Sequence, residues 1–486
     1  MQEETARPAV ALHSDLERNA IGALGATMQA ITHISPAIAA FFYTQFVVSL
    51  AGITAPIAYL IGFVLVLMLG NSLVQLSKHM PSAGGYYTYV SRAIHPRIGF
   101  LTSWMYVLYS PLCGGPIYGF FGFIAAGALK SYYNIDVPWL WWVCIAVGAP
   151  LVAYLQHEGI KISTKAMLVL GAFEIGIVFL LALSGFLHPG PGGISLAVFN
   201  PGNMLKDSGG ALAISGFTLA IVFSVQGLTG WEAAAPLAEE TKDPRRNVPI
   251  SVIASIVLLG AFLVFVFWGI ITYFGVDSID TLIGSKELPA LAMAQDLWGG
   301  FWLLLLFAFL NSVIAVCLAT ANVGTRMWYA MARSGSFPKV LAKVEPKRKT
   351  PTNAILLQMA LSLVAGLGTG FVFGADVSFF LIDGLILVIG VTVVYLFANL
   401  AVFMYYRGEK KAEFNVLLHV VFPLLSSLVL IYAVIQSFNP APAAPYSYAP
   451  FIDGAWFLLG VIILVVLRSR GREDWLLNAG EAIADA

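Results

Sequence analysis

The sequence predicts an all-α integral membrane protein with twelve transmembrane helices, the first and the sixth of which are discontinuous. Three observations support this fold class. Of the 486 residues, 59% are hydrophobic and 11% are charged, against roughly 25% charged residues in soluble domains. The apolar residues form runs long enough to cross a bilayer, which takes about 20 residues of α-helix. Two of these runs are interrupted by residues that disfavour a helix.

Twelve apolar runs qualify as membrane spans, and little of the chain is left for a soluble domain. The loops between them are too short to hold a catalytic module, and neither a nucleophile–base constellation nor metal-ligand spacing is visible. We therefore expect a protein that is not an enzyme and that uses no cofactor or metal. The predicted spans are 22–50, 54–77, 98–129, 137–157, 163–187, 211–239, 248–274, 301–332, 352–373, 377–405, 415–437 and 451–468.

Lysine and arginine are distributed asymmetrically about these spans. With the N-terminus in the cytoplasm, all of the 26 Lys and Arg residues except Lys130, Lys206 and Lys286 fall on the cytoplasmic side, as the positive-inside rule requires. We therefore expect a multi-pass protein of the cell membrane, inner or plasma, with both termini cytoplasmic. Its partners would be the lipid bilayer, a small-molecule substrate and protons, since zero net charge gives nucleic-acid binding no electrostatic support.

The first span is interrupted by the sequence Thr32-His33-Ile34-Ser35-Pro36. Serine is a good N-cap and proline is favoured at the first position of a helix, so a new half-helix is expected to start at Pro36. The alternative is a proline kink in a continuous helix.

The sixth span is interrupted where its helix formers give way to SVQGLTG at 224–230, and a short helix is expected to resume at Trp231. A break in mid-bilayer leaves backbone groups without water, so it survives only where it is buried in protein or lines a cavity. Such breaks therefore indicate a solute site.

Spans 1 and 6 are five spans apart, and an odd offset inverts the second unit relative to the first. This is the pattern of an inverted repeat in secondary transporters. The predicted segments are a cytoplasmic N-terminal segment (1–21), a first repeat (22–187), an extracellular loop (188–210), a second repeat (211–406), two added spans (407–469) and a cytoplasmic tail (470–486).

Three motifs carry a resemblance to a known family. They are PSAGGYYTYV at 81–90, GWEAAAPLAEETKDPRRNVP at 230–249 and RMWYAMARSGSFPKVL at 326–341. In this order and spacing they resemble the amino acid–polyamine–organocation (APC) superfamily, in an amino acid permease-like form. The resemblance implies a five-plus-five, leucine-transporter-like fold that binds substrate at its broken helices. The chain departs from the family in the first break, which lacks the common Gly-x-Gly, and at Leu228, where an aromatic residue often caps the substrate.

The two breaks predict a site with two unlike ends. Backbone N–H groups behind Pro36, together with the N–H and hydroxyl of Ser35, suit a carboxylate, while the carbonyls at 224–226 suit an ammonium group. For His33 the alternatives are a hydrogen bond to the freed backbone, a substrate contact or a proton role. No acid lies within either break, which favours a neutral amino acid, bulky or small, unless Asp383, Glu174 or Glu232 reaches the pocket in the folded chain. The predicted substrate-binding residues are Thr32, His33, Ile34, Ser35, Ala37, Ser224, Val225, Gln226, Gly227 and Leu228.

Glu174 is the predicted coupling residue. It lies near the centre of span 5, where a carboxylate is normally neutral, paired or functional because a charge there costs several kcal/mol. The resemblance places Glu174 where several proton-coupled members carry a lysine that stands in for sodium between helices 1, 5 and 8. The alternative is a structural hydrogen-bonding acid. Sodium coupling is disfavoured because Ala315 and Val316 lack the hydroxyls of a sodium site, unless a one-turn slip brings in 311–312 or Thr320.

The remaining charges are expected to be structural. Glu232 suits the N-terminal dipole of a half-helix, and Asp383 could line the outer vestibule. A gate through Arg326 or Arg245 is the alternative to a solvated cytoplasmic loop, whose charged residues are Glu239, Glu240, Lys242, Asp243, Arg245 and Arg246.

The sequence therefore predicts a secondary active transporter. It would move a small amino acid or related amine by alternating access, with proton coupling. The alternatives are an amino acid or amine exchanger, a polyamine transporter and, from a different class, a membrane sensor that binds a solute without moving it.

Overall fold

The computed structural model describes residues 14–205, 211–284, 288–439 and 441–482. Within these ranges the chain is helical, with one isolated bridge between Ile21 and Thr241, which confirms the all-α class. Arg7, Lys206 and Lys286 lie outside the described residues. Ten helical segments in the described part of the chain are long and apolar enough to cross a membrane: Ala23–Ser77, Pro96–Tyr133, Leu140–His157, Ile160–Leu187, Pro244–Phe274, Pro289–Ser334, Thr352–Phe373, Ala375–Gly408, Leu417–Ser437 and Tyr446–Ser469.

The first span is broken at Ser35, as the sequence predicts. Helix α1 (Ala23–Ile34) ends there because Ser35 adopts the left-handed conformation, with φ 61° and ψ 77°, which a kinked but continuous helix does not contain. Proline occupies the first position of the next helix, α2 (Pro36–Ile38). A π-helical turn (Ala39–Tyr43) then leads into α3 (Thr44–Ala51).

The next five helices range in length from 8 to 38 residues. The longest, α6, has 38 residues and therefore extends about 57 Å at 1.5 Å per residue, well beyond the roughly 30 Å of the hydrocarbon core. It begins at Pro96 and ends where Asn134 turns left-handed at φ 54°. The helices of this part are α4 (Ala55–Ser77), α5 (Tyr86–Ala93), α6 (Pro96–Tyr133), α7 (Leu140–His157) and α8 (Ile160–Leu187).

The sixth span is broken as well. Helix α9 (Ala211–Gln226) ends in a turn at 227–230, after which a 3₁₀ helix (Trp231–Glu240) continues. A π-helical stretch (Phe380–Ile386) lies in the tenth predicted span, where no strong helix-breaking pair in the sequence predicts it. Such π segments are frequent at functional sites.

The remaining helices follow the predicted spans closely. Two extra short helices, α11 and α12, lie between the seventh and eighth predicted spans. The helices are α10 (Pro244–Phe274), α11 (Ile279–Ile283), α12 (Pro289–Trp298), α13 (Leu303–Ser334), α14 (Thr352–Phe373), α15 (Ala375–Phe379), α16 (Leu387–Gly408), α17 (Phe422–Ser437), α18 (Ala449–Ser469) and α19 (Trp475–Asn478).

Two groups of helices pack most extensively. Helix α4 packs along α10, while α6 packs against α7, α13 and α14. Glycines permit the closest crossings: a Cβ at Gly185 of α8 would lie 2.2 Å from the Gly269 carbonyl oxygen of α10, and a Cβ at Gly115 of α6 would lie 2.7 Å from the Gly366 nitrogen of α14. Small residues at helix crossings are the usual means of close packing in a membrane.

Candidate functional site

The two helix breaks touch each other through their backbones. Gly230 has φ +124°, a conformation that residues with a side chain rarely adopt. A Cβ at this position would lie 2.7 Å from the carbonyl carbon of His33 and 2.8 Å from the nitrogen of Ile34. The glycine therefore permits both the turn in the sixth span and its contact with the break in the first.

A cavity of about 540 Å³ lies beside this contact. It is lined by residues from α1 to α3, α6, α9, α13 and the π-helical stretch. It extends to a part we call the loop end, which is formed by Gln436, Ser437, Pro442 and Tyr446 where α17 ends and the chain leads to α18. Its volume falls within the range of ligand pockets, about 300–1,000 Å³.

Five of the ten predicted substrate-binding residues line the cavity, namely His33, Ile34, Ser35, Gln226 and Gly227. The other five do not, because successive residues of a helix or turn point to different sides. The hydroxyl of Thr32 donates to the Met28 carbonyl at 2.7 Å, and that of Ser224 donates to the Ala220 carbonyl at 2.8 Å. The five residues packed away from the cavity are Thr32, Ala37, Ser224, Val225 and Leu228.

The N–H of Ser35 is not available to a ligand, contrary to the expectation from the sequence. It donates to the Ile31 carbonyl at 3.2 Å, and the Ser35 carbonyl accepts from the Ala39 N–H at 2.9 Å. The Ser35 hydroxyl makes no cap bond to the following helix. It pairs instead with the hydroxyl of Ser312 at 2.6 Å, because the left-handed backbone turns it toward α13.

Two acids line the cavity, although the sequence places none within the breaks. They are Glu232, at the start of the 3₁₀ helix, and Asp383, at the middle of the π-helical stretch. Asp383, which the sequence offers as a lining residue of the outer vestibule, lines this cavity, and the cavity extends to the loop end. Among the described lining residues there is no lysine or arginine.

The two acids differ in their bonding. One oxygen of Glu232 accepts from the Gly230 N–H at 3.1 Å, and the other accepts from the Tyr106 hydroxyl at 3.4 Å. Asp383 has the Cys113 thiol within interacting distance, yet its Oδ2 is withdrawn from solvent and has no hydrogen-bond partner among the described residues. Glu232 is thus tied to the break, whereas Asp383 retains a free acceptor.

Gln226 connects the sixth-span break to the π-helical stretch. Its side-chain amide donates to the Gly384 carbonyl at 3.1 Å, next in sequence to Asp383. Two aromatic residues of the lining, Phe42 and Phe380, pack together with ring centroids 5.2 Å apart. The cavity lining therefore combines polar groups at Gln226 and Asp383 with aromatic rings at Phe42 and Phe380.

Glu174 does not line the cavity. It is fully buried at the middle of α8, and neither of its oxygens makes a hydrogen bond of good geometry to a described residue. Ser312 lies within interacting distance of the Glu174 carboxyl. Because Ser312 also pairs with Ser35, two hydroxyls lead from the cavity to Glu174. In the neighbouring position Asn311 donates to the Leu170 carbonyl at 2.6 Å and joins α13 to α8.

His33 also retains an unused polar atom. The residue lines the cavity, and its ring nitrogen Nδ1 has no hydrogen-bond partner among the described residues.

Comparison with known proteins places this architecture in a family. Residues 25–473 match the model of the family described as amino acid permease. The chain belongs to the amino acid permease family. This match confirms the resemblance that the three motifs carry. Members of this family are membrane transport proteins rather than enzymes.

Several characterised relatives of this permease are similar in sequence. The low-affinity putrescine importer PlaP of Escherichia coli (strain K12) is 27% identical over 317 residues, covering 64% of this chain and 66% of that protein. The b(0,+)-type amino acid transporter 1 of Homo sapiens is 22% identical over 421 residues, covering 84% of this chain and 79% of the relative. The serine/threonine exchanger SteT of Bacillus subtilis (strain 168) is 24% identical over 382 residues, covering 76% of this chain and 79% of that protein.

Away from the loop end, the permease is sealed by two ion pairs, and we call this part the ion-pair end. The Arg326 guanidinium donates to both oxygens of Glu240 at 2.9 and 3.0 Å. The Arg333 guanidinium donates to both oxygens of Glu239 at 2.8 and 2.6 Å. Arg326, Glu239 and Glu240 are all buried.

The expectation of a solvated loop is therefore wrong for part of the charged run in the permease. The 3₁₀ helix carries Glu239 and Glu240 inward, where arginines of α13 meet them. The exposed residues of the run are Lys242, Asp243, Arg245 and Arg246.

The three sequence motifs of the permease meet at the ion-pair end. The Ala83 N–H donates to Glu239 at 2.9 Å, and the hydroxyls of Tyr87 and Ser334 pair at 2.7 Å. The segment before α1 joins them, because the Ile21 N–H donates to the Glu240 carbonyl at 3.1 Å. The three motifs therefore pack together at the ion-pair end, while Glu232 of the second motif lines the cavity.

Proposed function

We propose that this permease is a secondary active transporter that moves a small amino acid or related amine by alternating access. The observation that carries the proposal is a cavity placed at the contact of two broken helices, extending to the loop end while the ion-pair end is sealed. The relatives support it, since their names describe an importer, a transporter and an exchanger of such solutes.

The proposed topology has twelve crossings, with repeats at 22–187 and 211–406 and both termini in the cytoplasm. Breaks in the first and sixth spans support the repeat, because discontinuous helices at matching places are typical of inverted-repeat transporters. The exposed Lys242, Arg245 and Arg246 beside the ion-pair end support a cytoplasmic position for that end. The cavity then faces the outside.

The proposed movement is a rocking of one helix group against another. One group contains α1, α4, α9 and α10, and the other contains α6, α7, α13 and α14. Inward opening requires the 3₁₀ helix to leave α13, which separates Arg326 from Glu240 and Arg333 from Glu239. The pairs therefore act as a lock on the outward-facing state.

Proton coupling is proposed to pass through Glu174. A buried carboxyl without a partner is costly in either protonation state, and the cost is lowest when a proton or donor arrives in step with a conformational change. The pair of hydroxyls at Ser312 and Ser35 supplies a route from the cavity to this carboxyl. Opening of the lock moves α1 relative to α13, which breaks the route and isolates the proton.

A thermal-shift screen of the purified protein against amino acids and amines identifies a ligand that can then be used as the solute in transport assays. A ligand at 100 times its Kd that binds only the folded state adds about 2.7 kcal/mol of stability. The hit is then assayed in proteoliposomes with an imposed pH gradient, and net uptake without internal solute separates symport from obligatory exchange.

The variant Glu174→Gln tests the coupling. We expect counterflow exchange to survive and pH-driven accumulation to disappear, because an amide keeps the shape but does not titrate. Asp453→Asn is the matched control, since Asp453 is a buried acid of α18 that also lacks partners among the described residues but does not line the cavity. Normal accumulation by Glu174→Gln would remove the proton role of this residue.

A further inference from the structure

Among the described residues that line the cavity, Asp383 is a buried acid with a carboxylate oxygen that has no hydrogen-bond partner. We propose that Asp383 binds the ammonium group at the end of a flexible aliphatic chain, so that the substrate is an amine of net positive charge. This deepens the proposed function and rests on it. It also replaces the neutral amino acid that the sequence favours.

The charge balance of the cavity favours a cation. Its described lining contains two carboxylates, Glu232 and Asp383, and one histidine, His33, with no lysine or arginine. In a cleft with low-dielectric walls, charge of one sign concentrates ligands of the opposite sign. A neutral zwitterion gains nothing from this balance, because its carboxylate is repelled where its ammonium group is attracted.

Asp383 rather than Glu232 is the anchor because of its bonding. Glu232 is occupied by Gly230 and Tyr106, which hold the break in shape. Asp383 keeps Oδ2 without a partner among the described residues. A buried acceptor that is left unpaired costs roughly 1–3 kcal/mol, and more when it is charged, so a ligand that supplies a donor recovers this cost.

The surroundings of Asp383 suit an ammonium group in particular. An alkylammonium carries three donors. Because the Gln226 amide nitrogen is used by Gly384, the amide oxygen of Gln226, which also lines the cavity, is left as an acceptor. The rings of Phe42 and Phe380 present aromatic surface to the methylenes of a chain and to a cation.

Equilibrium binding to the purified full-length protein tests the proposal with three probes: 1,4-diaminobutane, L-lysine and L-leucine. The wild type should bind one or both cationic probes at least tenfold tighter than leucine. Asp383→Asn should raise the Kd of the cationic probes about tenfold to a hundredfold, as expected for loss of a charge-assisted hydrogen bond, with leucine affinity unchanged. Asp376→Asn on α15 is the control, since Asp376 lies outside this cavity.

The two cationic probes show whether the bound ammonium group belongs to a diamine or to a cationic amino acid. Tight binding of 1,4-diaminobutane indicates a diamine, and binding of lysine alone indicates that a carboxylate is also recognised. Both outcomes support an ammonium site at Asp383. Leucine binding as tight as that of both cations, or an Asp383→Asn variant with wild-type affinity for them, would overturn it.

Asp383→Glu keeps the test decisive if the amide variant does not fold. The longer side chain moves the carboxylate into the cavity by about one methylene, so the preferred diamine should shorten from four methylenes to three. A purely structural role would not shift chain-length preference, and an unchanged preference would count against the proposal.

Counterflow of labelled leucine separates the ammonium site at Asp383 from the proposed transport function. Leucine counterflow without cation preference overturns the ammonium site alone, whereas no counterflow of any probe overturns transport and the inference with it.

Discussion

Two pairs of buried acids in this permease stand in contrasting surroundings. At the ion-pair end, Glu239 and Glu240 are each held by two hydrogen bonds from an arginine. Elsewhere in the helical interior, Glu174 and Asp383 have oxygens withdrawn from solvent that lack partners among the described residues. The same chemical group is saturated in one region and left open in the other.

The contrast separates structure from function. A buried ion pair is costly to break by removing one partner, because an uncompensated charge remains, so the paired acids hold one conformation. An open buried acid lowers stability until a proton or a cation reaches it. We therefore read the ion-pair end as a lock and the two open acids as the groups that respond to protons and substrate.

The largest expected effect is the loss of the lock. Arg326→Ala should lower the free energy of unfolding by about 3–5 kcal/mol, because Glu240 is left buried and unpaired. The apparent Tm in detergent measures it. Arg92→Ala is the control, since its pair with Glu409 is partly exposed and such pairs are worth about 0–1 kcal/mol. Equal losses in the two variants would contradict the contrast.

Removal of an acid whose oxygens lack partners among the described residues, such as Glu174, should change the free energy of unfolding in the opposite direction. Glu174→Met should raise the free energy of unfolding by about 1–3 kcal/mol, because a buried polar group without a partner is replaced by an apolar one of similar size. Glu239→Met, which leaves Arg333 without its partner, should be destabilising. A lower Tm for Glu174→Met would show that Glu174 is held by the fold as firmly as Glu239.

Interruption of the hydroxyl route should change rate more than stability. Ser312→Ala should slow pH-driven uptake about a hundredfold, the lower end of the roughly 10²–10⁴-fold that a positioned proton-transfer group contributes, while counterflow is retained. Ser255→Ala is the matched control, because Ser255 is a buried hydroxyl of α10 that bonds only locally, to the Val252 carbonyl. Equal uptake by both variants would remove Ser312 from the route.

The smallest effect is expected from an acid outside the membrane. Backbone N–H donors from Arg348 and Lys347 lower the pKa of Glu345. Its stabilising contribution is therefore present above the ordinary carboxyl range and is lost as the pH falls through the lowered pKa. Glu345→Gln should slightly flatten the dependence of Tm on pH between neutral and acidic pH. An unchanged dependence would show that Glu345 does not contribute to the pH dependence of stability.

Both helix breaks could be predicted from the sequence because their causes are local. Serine before proline at 35–36 and glycine at 230 disfavour a continuous helix wherever they stand. The π-helical stretch around Asp383 has no such signal, and the sequence indicated only that this acid could line the outer vestibule. Its membership of the cavity depends on how α15 and α16 pack beside α6.

The charged run after the sixth span shows the same limit. Its composition is typical of a solvated loop, which is correct for the exposed Lys242 and Arg246. It is wrong for Glu240, because the arginine that pairs with it lies 86 residues further along the chain. A polar pattern alone does not reveal a distant partner.

The sequence by itself determined the membrane class, the positions of the helices, the two breaks and the family. These depend on hydropathy and backbone preference, which act over a few residues. The tertiary structure decided which acids are paired and which are open, and which residues of the breaks line the cavity. The pairing of Ser35 with Ser312, 277 residues apart, exists only after the helices pack, because burial and hydrogen-bond satisfaction are properties of the assembled interior.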